Sequence, residues 1–314
     1  MSEPEASSTA RASSVLMGRL DYLSVLLRLI GMELYKLRRR MMSKVLGSIS
    51  IVATISLFGL IALVAVLTTR DTEVLRNFTQ VLRLPTSLIL IEQLLLYMGQ
   101  VLLVILVSTI VGGEYASGTV RLMLTRGPTR TQILLSKVGA AICCIVLGVV
   151  GITLLGVCTG LLLSLAAGVA PDFGFFSAAW MGNTLLYLLL IMLALFTYAM
   201  MALFLSTLGR ATAAGLAGVL TWSFVIEPVI ELISNFSKNI SGPTGSFFQS
   251  LPDYLIGPNI SALLQNQGQY VFPSPGGPPV PLSSDLHSLL VLAAYLVIFI
   301  GLSWWISVRR DVTH

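Results

Sequence analysis

Six apolar runs of about twenty residues or more dominate the chain, at residues 45–69, 87–112, 138–169, 178–208, 211–233 and 286–307. A helix rises about 1.5 Å per residue, so each run is long enough to cross a hydrocarbon core about 30 Å thick. In lipid every backbone amide needs an internal partner, and runs this continuous are too long for the strands of a membrane barrel. The pattern predicts an all-α membrane protein with six transmembrane helices.

Ahead of the first run the rhythm changes. Leu20, Leu23, Leu27, Ile30, Leu34 and Leu37 recur at steps of three and four, while Asp21, Ser24, Arg28, Tyr35 and Arg38 keep that spacing on another face. Residues 15–44 therefore predict an amphipathic helix ending in a basic cluster. It suits the membrane interface, apolar face in the acyl region and arginines among anionic head groups; a coiled-coil seam with a partner is the alternative. Residues 1–14, rich in Ser, Ala and Glu, predict disorder, and their mixed charges without an apolar core are not those of a secretory signal. Residues 45–310 then form the six-helix domain.

The longest interruption, residues 234–285, lies before the last run. Phe247, Phe248, Leu251, Leu255, Ile256, Leu263 and Leu264 are too apolar for an idle loop, and Pro252 and Pro258 interrupt them too often for a span. Short re-entrant or surface-lying helices are expected, followed by an extended proline-rich linker from Pro273 to Pro281. As a cap, this segment either gates release or is a passive lid.

Composition agrees: the chain is 55% hydrophobic and 11% charged, with a mean hydropathy of +0.89, where soluble domains carry about 25% charged residues. The net charge of +5 matters through its placement. Lys36, Arg38, Arg39, Arg40 and Lys44 precede the first run; Arg121, Arg126, Arg130 and Lys137 separate the second and third; Arg210 separates the fourth and fifth; Arg309 and Arg310 follow the sixth. The alternate loops hold only Arg70, Arg76, Arg83 and Lys238. Basic flanks stay in the cytoplasm, so both termini are expected there, in a multi-pass protein of the cell membrane. Asn77, Asn235, Asn239 and Asn259, which begin Asn-x-Ser/Thr triplets, then fall on the external side. With no soluble basic domain, no nucleic-acid partner is expected.

Catalytic chemistry finds no support. Cys143, Cys144 and Cys158 lie inside the third run as small hydrophobes, and His287 and His314 have no ligand spacing around them, so no metal site is expected. No Gly-x-x-x-x-Gly-Lys-Ser/Thr loop is present. The chain is expected to be no enzyme and to bind no cofactor itself.

Between the second and third runs lies Gly112-Gly113-Glu114-Tyr115-Ala116-Ser117-Gly118-Thr119-Val120-Arg121, with Arg126, Gly127-Pro128-Thr129-Arg130 and Lys137 after it. Gly112-Gly113 is expected to release the second span from helix, and Pro128 to open the next as a first-turn residue. Val120, Leu122, Met123 and Leu124 interrupt the charges, which predicts a short amphipathic helix rather than a bare loop. The series Glu114, Gly118, Thr119, Arg121, Pro128, Arg130 resembles the cytoplasmic signature of permease subunits of ABC-2-type ABC transporters, a likeness that extends over roughly residues 25 to 310 as span number and order. Ser136 stands where that family often has glycine. The resemblance implies that this segment, Arg126 included, is a coupling helix docking on a separate ATPase subunit, which would bind the ATP and Mg. It also implies a second permease protomer, identical or different, and border positions on a central pathway for the second and fifth spans.

Polar residues in those two spans are the pathway candidates: Glu92, Gln93, Tyr97 and Gln100 in the second, Trp222 and Glu227 in the fifth. Gln93, Tyr97 and Gln100 read as a row one turn apart; hydrogen bonding between helices is the alternative. Glu92 and the pair Glu227 and Glu231, beside Pro228, are expected near the outer interface. Gly156 to Gly160 and Ala211 to Gly218 give small-residue surfaces for close helix approach, within one subunit or between two. Export of an amphiphile such as a drug, peptide or lipid is the expected function. An ABC permease that passes force to an external partner and an ion-driven secondary transporter are the alternatives.

Overall fold

The computed structural model describes residues 4–67, 85–118, 129–166, 174–238, 242–272 and 284–309, with side chains from residue 22 onward save 65 and 66. Among these residues the chain is almost wholly helical and has no strand. The helices are α1 Pro4–Arg39, α2 Met41–Leu67, α3 Ser87–Ala116, α4 Arg130–Ala166, α5 Ala178–Gly209, α6 Thr212–Ser237, α7 Pro243–Ser250, α8 Ile256–Val271 and α9 Asp285–Arg309, with a 3₁₀ turn at Leu251–Tyr254. Six of them, α2, α3, α4, α5, α6 and α9, are long and apolar enough to cross a membrane, and they coincide with the six runs. Large side chains such as Leu147 and Val297 stand about 70% exposed on outward faces, as a multi-pass membrane protein requires.

α5 is the hub. Of its apolar stretch 56% is buried, against 11–44% for the other five, and α3, α4, α6, α8 and α9 all pack on it. Lipid is as apolar as leucine, so helix association here depends on close approach and on polar contacts. Small residues supply the first. Methyl groups built on Gly215 would lie 1.9 Å from the Ser206 hydroxyl and 2.6 Å from that of Ser108, and one on Gly156 would meet Ile91 at 2.6 Å. Glycines of both small-residue surfaces thus pack against neighbouring helices of the same chain.

Four expectations about local structure change. α1 ends at Arg39 rather than 44, since Arg40 is non-helical and α2 begins at Met41; helix also extends back to Pro4, into residues expected to be disordered. Proline fits a first helical turn, and the Ala, Ser and Glu that follow do not oppose helix. The apolar stripe of α1 is divided: Ile30 packs on Gly139 of α4 and Leu37 is buried, while Leu23 and Leu27 are uncovered.

Gly112-Gly113 does not end α3, which continues through both to Ala116 and turns at Gly118, where φ is +66°. Gly112 instead serves close packing: a methyl there would sit 2.2 Å from the Thr212 nitrogen and 2.4 Å from the Ala211 carbonyl carbon. Those atoms belong to the sharp α5–α6 reversal, made by Arg210 in the left-handed region (φ 51°). α4 begins at Arg130 behind a reciprocal cap, Thr129 Oγ1 accepting from the Gln132 amide (3.3 Å) and Gln132 Oε1 from the Thr129 amide (3.0 Å). Pro128 and the amphipathic stretch Val120 to Leu124 lie outside the described residues.

Two π turns, Leu95–Gly99 in α3 and Trp222–Ile226 in α6, each insert a residue into an otherwise α-helical span. An inserted residue rotates everything beyond it by about 100°. Both spans that carry the polar candidates contain one.

Candidate functional site

One end of the bundle gathers the ends of six helices around a buried acid. Glu114, on the last turn of α3, is 3% exposed. Its Oε2 takes an ion pair from Lys137 on the second turn of α4, and its Oε1 accepts from Lys36 Nζ of α1 at 3.1 Å. Lys36 also pairs with Glu33 at 3.0 Å, and Lys137 donates to the Ile110 carbonyl at 3.4 Å. Arg40 reaches the Thr109 carbonyl at 3.4 Å. Arg130 donates to the carbonyls of Ser307 (3.1 Å) and Val308 (3.2 Å), a cation closing the C-terminus of α9, and Trp304 of α9 donates to Thr131. α1, α3, α4 and α9 are thereby cross-linked by charge-assisted contacts, with the α5–α6 reversal wedged beside Gly112.

These contacts change the reading of two coupling candidates. Glu114 is buried and Arg130 partly so, and both bond to neighbouring helices, which braces the base of the 113–130 segment. Gly118 makes its first turn. Thr119, Arg121, Arg126 and Pro128 lie outside the described residues. Lys137, read from sequence only as a basic residue flanking the third run, is the partner that buries with Glu114. Lys36 was not legible as a partner, because nothing in its own helix points to α3.

Glu227 is the centre of the second cluster, and it is buried at 4% exposure. Oε1 accepts from Trp222 Nε1 (2.8 Å) and from the Gly257 amide (3.0 Å), and Oε2 from the Tyr198 hydroxyl (3.2 Å). The π turn brings Trp222 and Glu227, five positions apart, onto one side. Gly257 lies on the first turn of α8, whose own N-cap, Leu255, has no side chain for the purpose. A carboxylate from α6 therefore caps α8 and meets the positive end of its dipole.

Position follows from the helices. Tyr198 lies eleven residues before Gly209 and Glu227 fifteen after Thr212, about 17 Å and about 22 Å along α5 and α6 from their shared reversal. For Glu227 that is near the middle of the length of α6. Glu231, its expected companion one turn further on, is exposed. α8 runs from this point back along α5 to Val271, whose carbonyl accepts from Trp180 at 3.1 Å near the start of α5. Asn259 of α8 is buried with its amide on the Asp253 and Leu255 carbonyls (both 2.7 Å), so this triplet is closed to modification.

The expected polar row does not exist. Glu92 lies against Tyr187 of α5, Gln93 and Tyr97 point out of the bundle, and Gln100 is buried. The π turn at Leu95–Gly99 falls between the members of the row and rotates Gln100 out of line. A cleft of about 660 Å³ between α1, α2, α3 and α4 has none of the six pathway candidates in its wall. Sequence reasoning missed Tyr187 and Tyr198; their spacing of eleven, three helical turns on the central helix, was the available signal. Among the described residues no group of His, Cys, Asp and Glu is placed to hold a metal.

The contacts of Gly257 make a measurable case. A methyl there would lie 2.6 Å from Glu227 Oε2, so Gly257→Ala is expected to destabilise the protein by about 1–3 kcal/mol. In a Glu227→Ala background, which vacates that space, it should add little. Thermal melts in detergent of the two single variants and the double variant give the coupling, and simple additivity would exclude the capping role.

No curated protein matches this chain. A family model does, over residues 60–313, and the chain belongs to the family described as Protein of unknown function (DUF2705).

Proposed function

We propose that the chain is the permease subunit of an ATP-driven transporter of the ABC-2 type, exporting an amphiphilic substrate with a separate ATPase and a second permease protomer. On this reading both termini face the cytoplasm, the uncovered apolar stripe of α1 lies in the membrane interface, and residues 113–130 are the coupling element.

One observation carries the reading. The segment's first residues end α3, its last begin α4, and Glu114 ties both to α1 through Lys137 and Lys36. A pull on the segment is therefore shared among three helices, with Gly112 passing it to the α5–α6 reversal. The resemblance in Glu114, Gly118, Thr119, Arg121, Pro128 and Arg130 supplies the identity of the motor, and the sequence contains no phosphate-binding loop of its own.

A second reading, an ion-driven transporter, draws on Glu227: a carboxylate near the middle of a span, at the N-terminus of a helix that does not cross, is a feature such transporters use. Its oxygens already take three donors, which favours a capping role instead. Transport in vesicles driven by an ion gradient without ATP would select this reading.

The test of the first is Arg121→Glu, which reverses one charge of the segment's basic series. The variant is expected to purify as a folded chain with its melting temperature unchanged, and to lose about tenfold or more of its co-purification with the cognate ATPase, as reversal of one charge pair in an interface allows. Undiminished binding and ATPase stimulation would remove the segment as the docking element.

A further inference from the structure

α2 is joined to the bundle at only part of its length. Phe58 and Thr54 are fully buried, with Phe58 beside Gly156 of α4, whereas Ser43 to Ser50 stand across a cleft from α3 and α4. Gly47 and Ser50 are too small to close the gap. The resulting wedge is the cleft of about 660 Å³, a size within the roughly 300–1,000 Å³ of pockets that hold small organic ligands.

Its wall is strongly asymmetric. Leu102 and Leu106 of α3 and Ile145 and Ile152 of α4 make an apolar interior. The polar groups come from the α1–α2 junction: Arg38, Ser43 and Lys44, with Ser50 two turns on. Arg38 and Lys44 have no carboxylate partner among the described residues, and Ser43 Oγ is a buried oxygen without a hydrogen-bond partner. A ligand that satisfies all of this has a negative head group and an apolar tail.

We propose that this cleft binds one anionic phospholipid, entering sideways from the leaflet at the α1–α2 end, its phosphate on Arg38, Lys44 and Ser43 and an acyl chain along α3 and α4. Cations at a membrane surface attract anionic lipid, and here two flank one apolar opening. The site does not depend on the ATPase reading, and it is complete in the isolated chain.

The experiment uses the purified full chain in phosphatidylcholine vesicles containing phosphatidylglycerol with a photoreactive acyl chain. Cross-links should concentrate on α4 between Ile145 and Ile152 and on the facing side of α3. Arg38→Gln with Lys44→Gln should lower that labelling about tenfold, relative to matched photoreactive phosphatidylcholine, without moving the melting temperature. Gly148→Leu should abolish it, because a methyl on Gly148 meets no atom within 4 Å and the larger side chain extends into the cleft without disturbing the core. Labelling spread evenly over outward faces, equal for the two lipids, or indifferent to Gly148→Leu would overturn the proposal. So would a Gly148→Cys chain that forms disulfide-linked dimers in vesicles, which would give the cleft to a second copy.

Discussion

Glu114→Ala is expected to lose about 3–5 kcal/mol of stability, the range found when one partner of a buried ion pair is removed and the other is left charged and unpaired. Lys137 is the group left behind: it is 6% exposed, and its remaining contact is the Ile110 carbonyl at 3.4 Å. Lys36 is in a different position, being half-exposed and still paired with Glu33. The loss should therefore be traceable to Lys137. Glu114→Met with Lys137→Met, which removes both charges at similar volume, should recover most of it. The measurement is the fraction of monodisperse protein after heating in detergent, with a denaturant titration for the free energy. A Glu114→Ala chain as stable as the parent would mean that the cluster is solvated in the folded protein and braces nothing. A double variant no better than the single one would place the effect in packing instead of charge.

The adjacent glycines should behave in opposite ways. Gly112→Val drives a branched side chain into the Ala211–Thr212 backbone, where even the first carbon would lie 2.2 Å from a nitrogen. Backbone at a tight reversal cannot move aside as the tip of a side chain can, so the cost is expected at about 3 kcal/mol or more, or as failure to accumulate in the membrane. Gly113→Val meets nothing within 4 Å and should fold normally. A hinge role for the pair, the expectation from sequence, predicts the reverse, with both positions sensitive because both need backbone freedom. Folding of both variants would sink the close-packing account.

These two predictions bear on transmission as well as stability. Gly112 holds α3 against the α5–α6 reversal, and Glu114 holds it against α4 and α1. α5 in turn carries Tyr198, whose hydroxyl sits on the carboxylate that caps α8. A displacement at the 113–130 end thus has an unbroken series of packed elements to the middle of α6. Whether coupling travels along it is a separate measurement, for which the Gly257 and Glu227 variants supply the far end.

The six spans were legible because a membrane helix is specified by its own residues: length and hydropathy suffice, and no distant partner is needed. Glu114 and Lys137 were legible only as members of the charged segment between two runs. What the sequence could not decide was which residues meet. Two inserted residues, at Leu95–Gly99 and Trp222–Ile226, broke the row from Gln93 to Gln100 and joined Trp222 to Glu227, and a single-residue bulge leaves hydropathy unchanged. The two glycines at 112 and 113 differ only in what lies opposite them, a reversal a hundred residues away in the chain. Glu227 read as a companion of Glu231 from the proline between them, but the groups it binds lie on α5 and α8, and that meeting is a property of the packed helices alone.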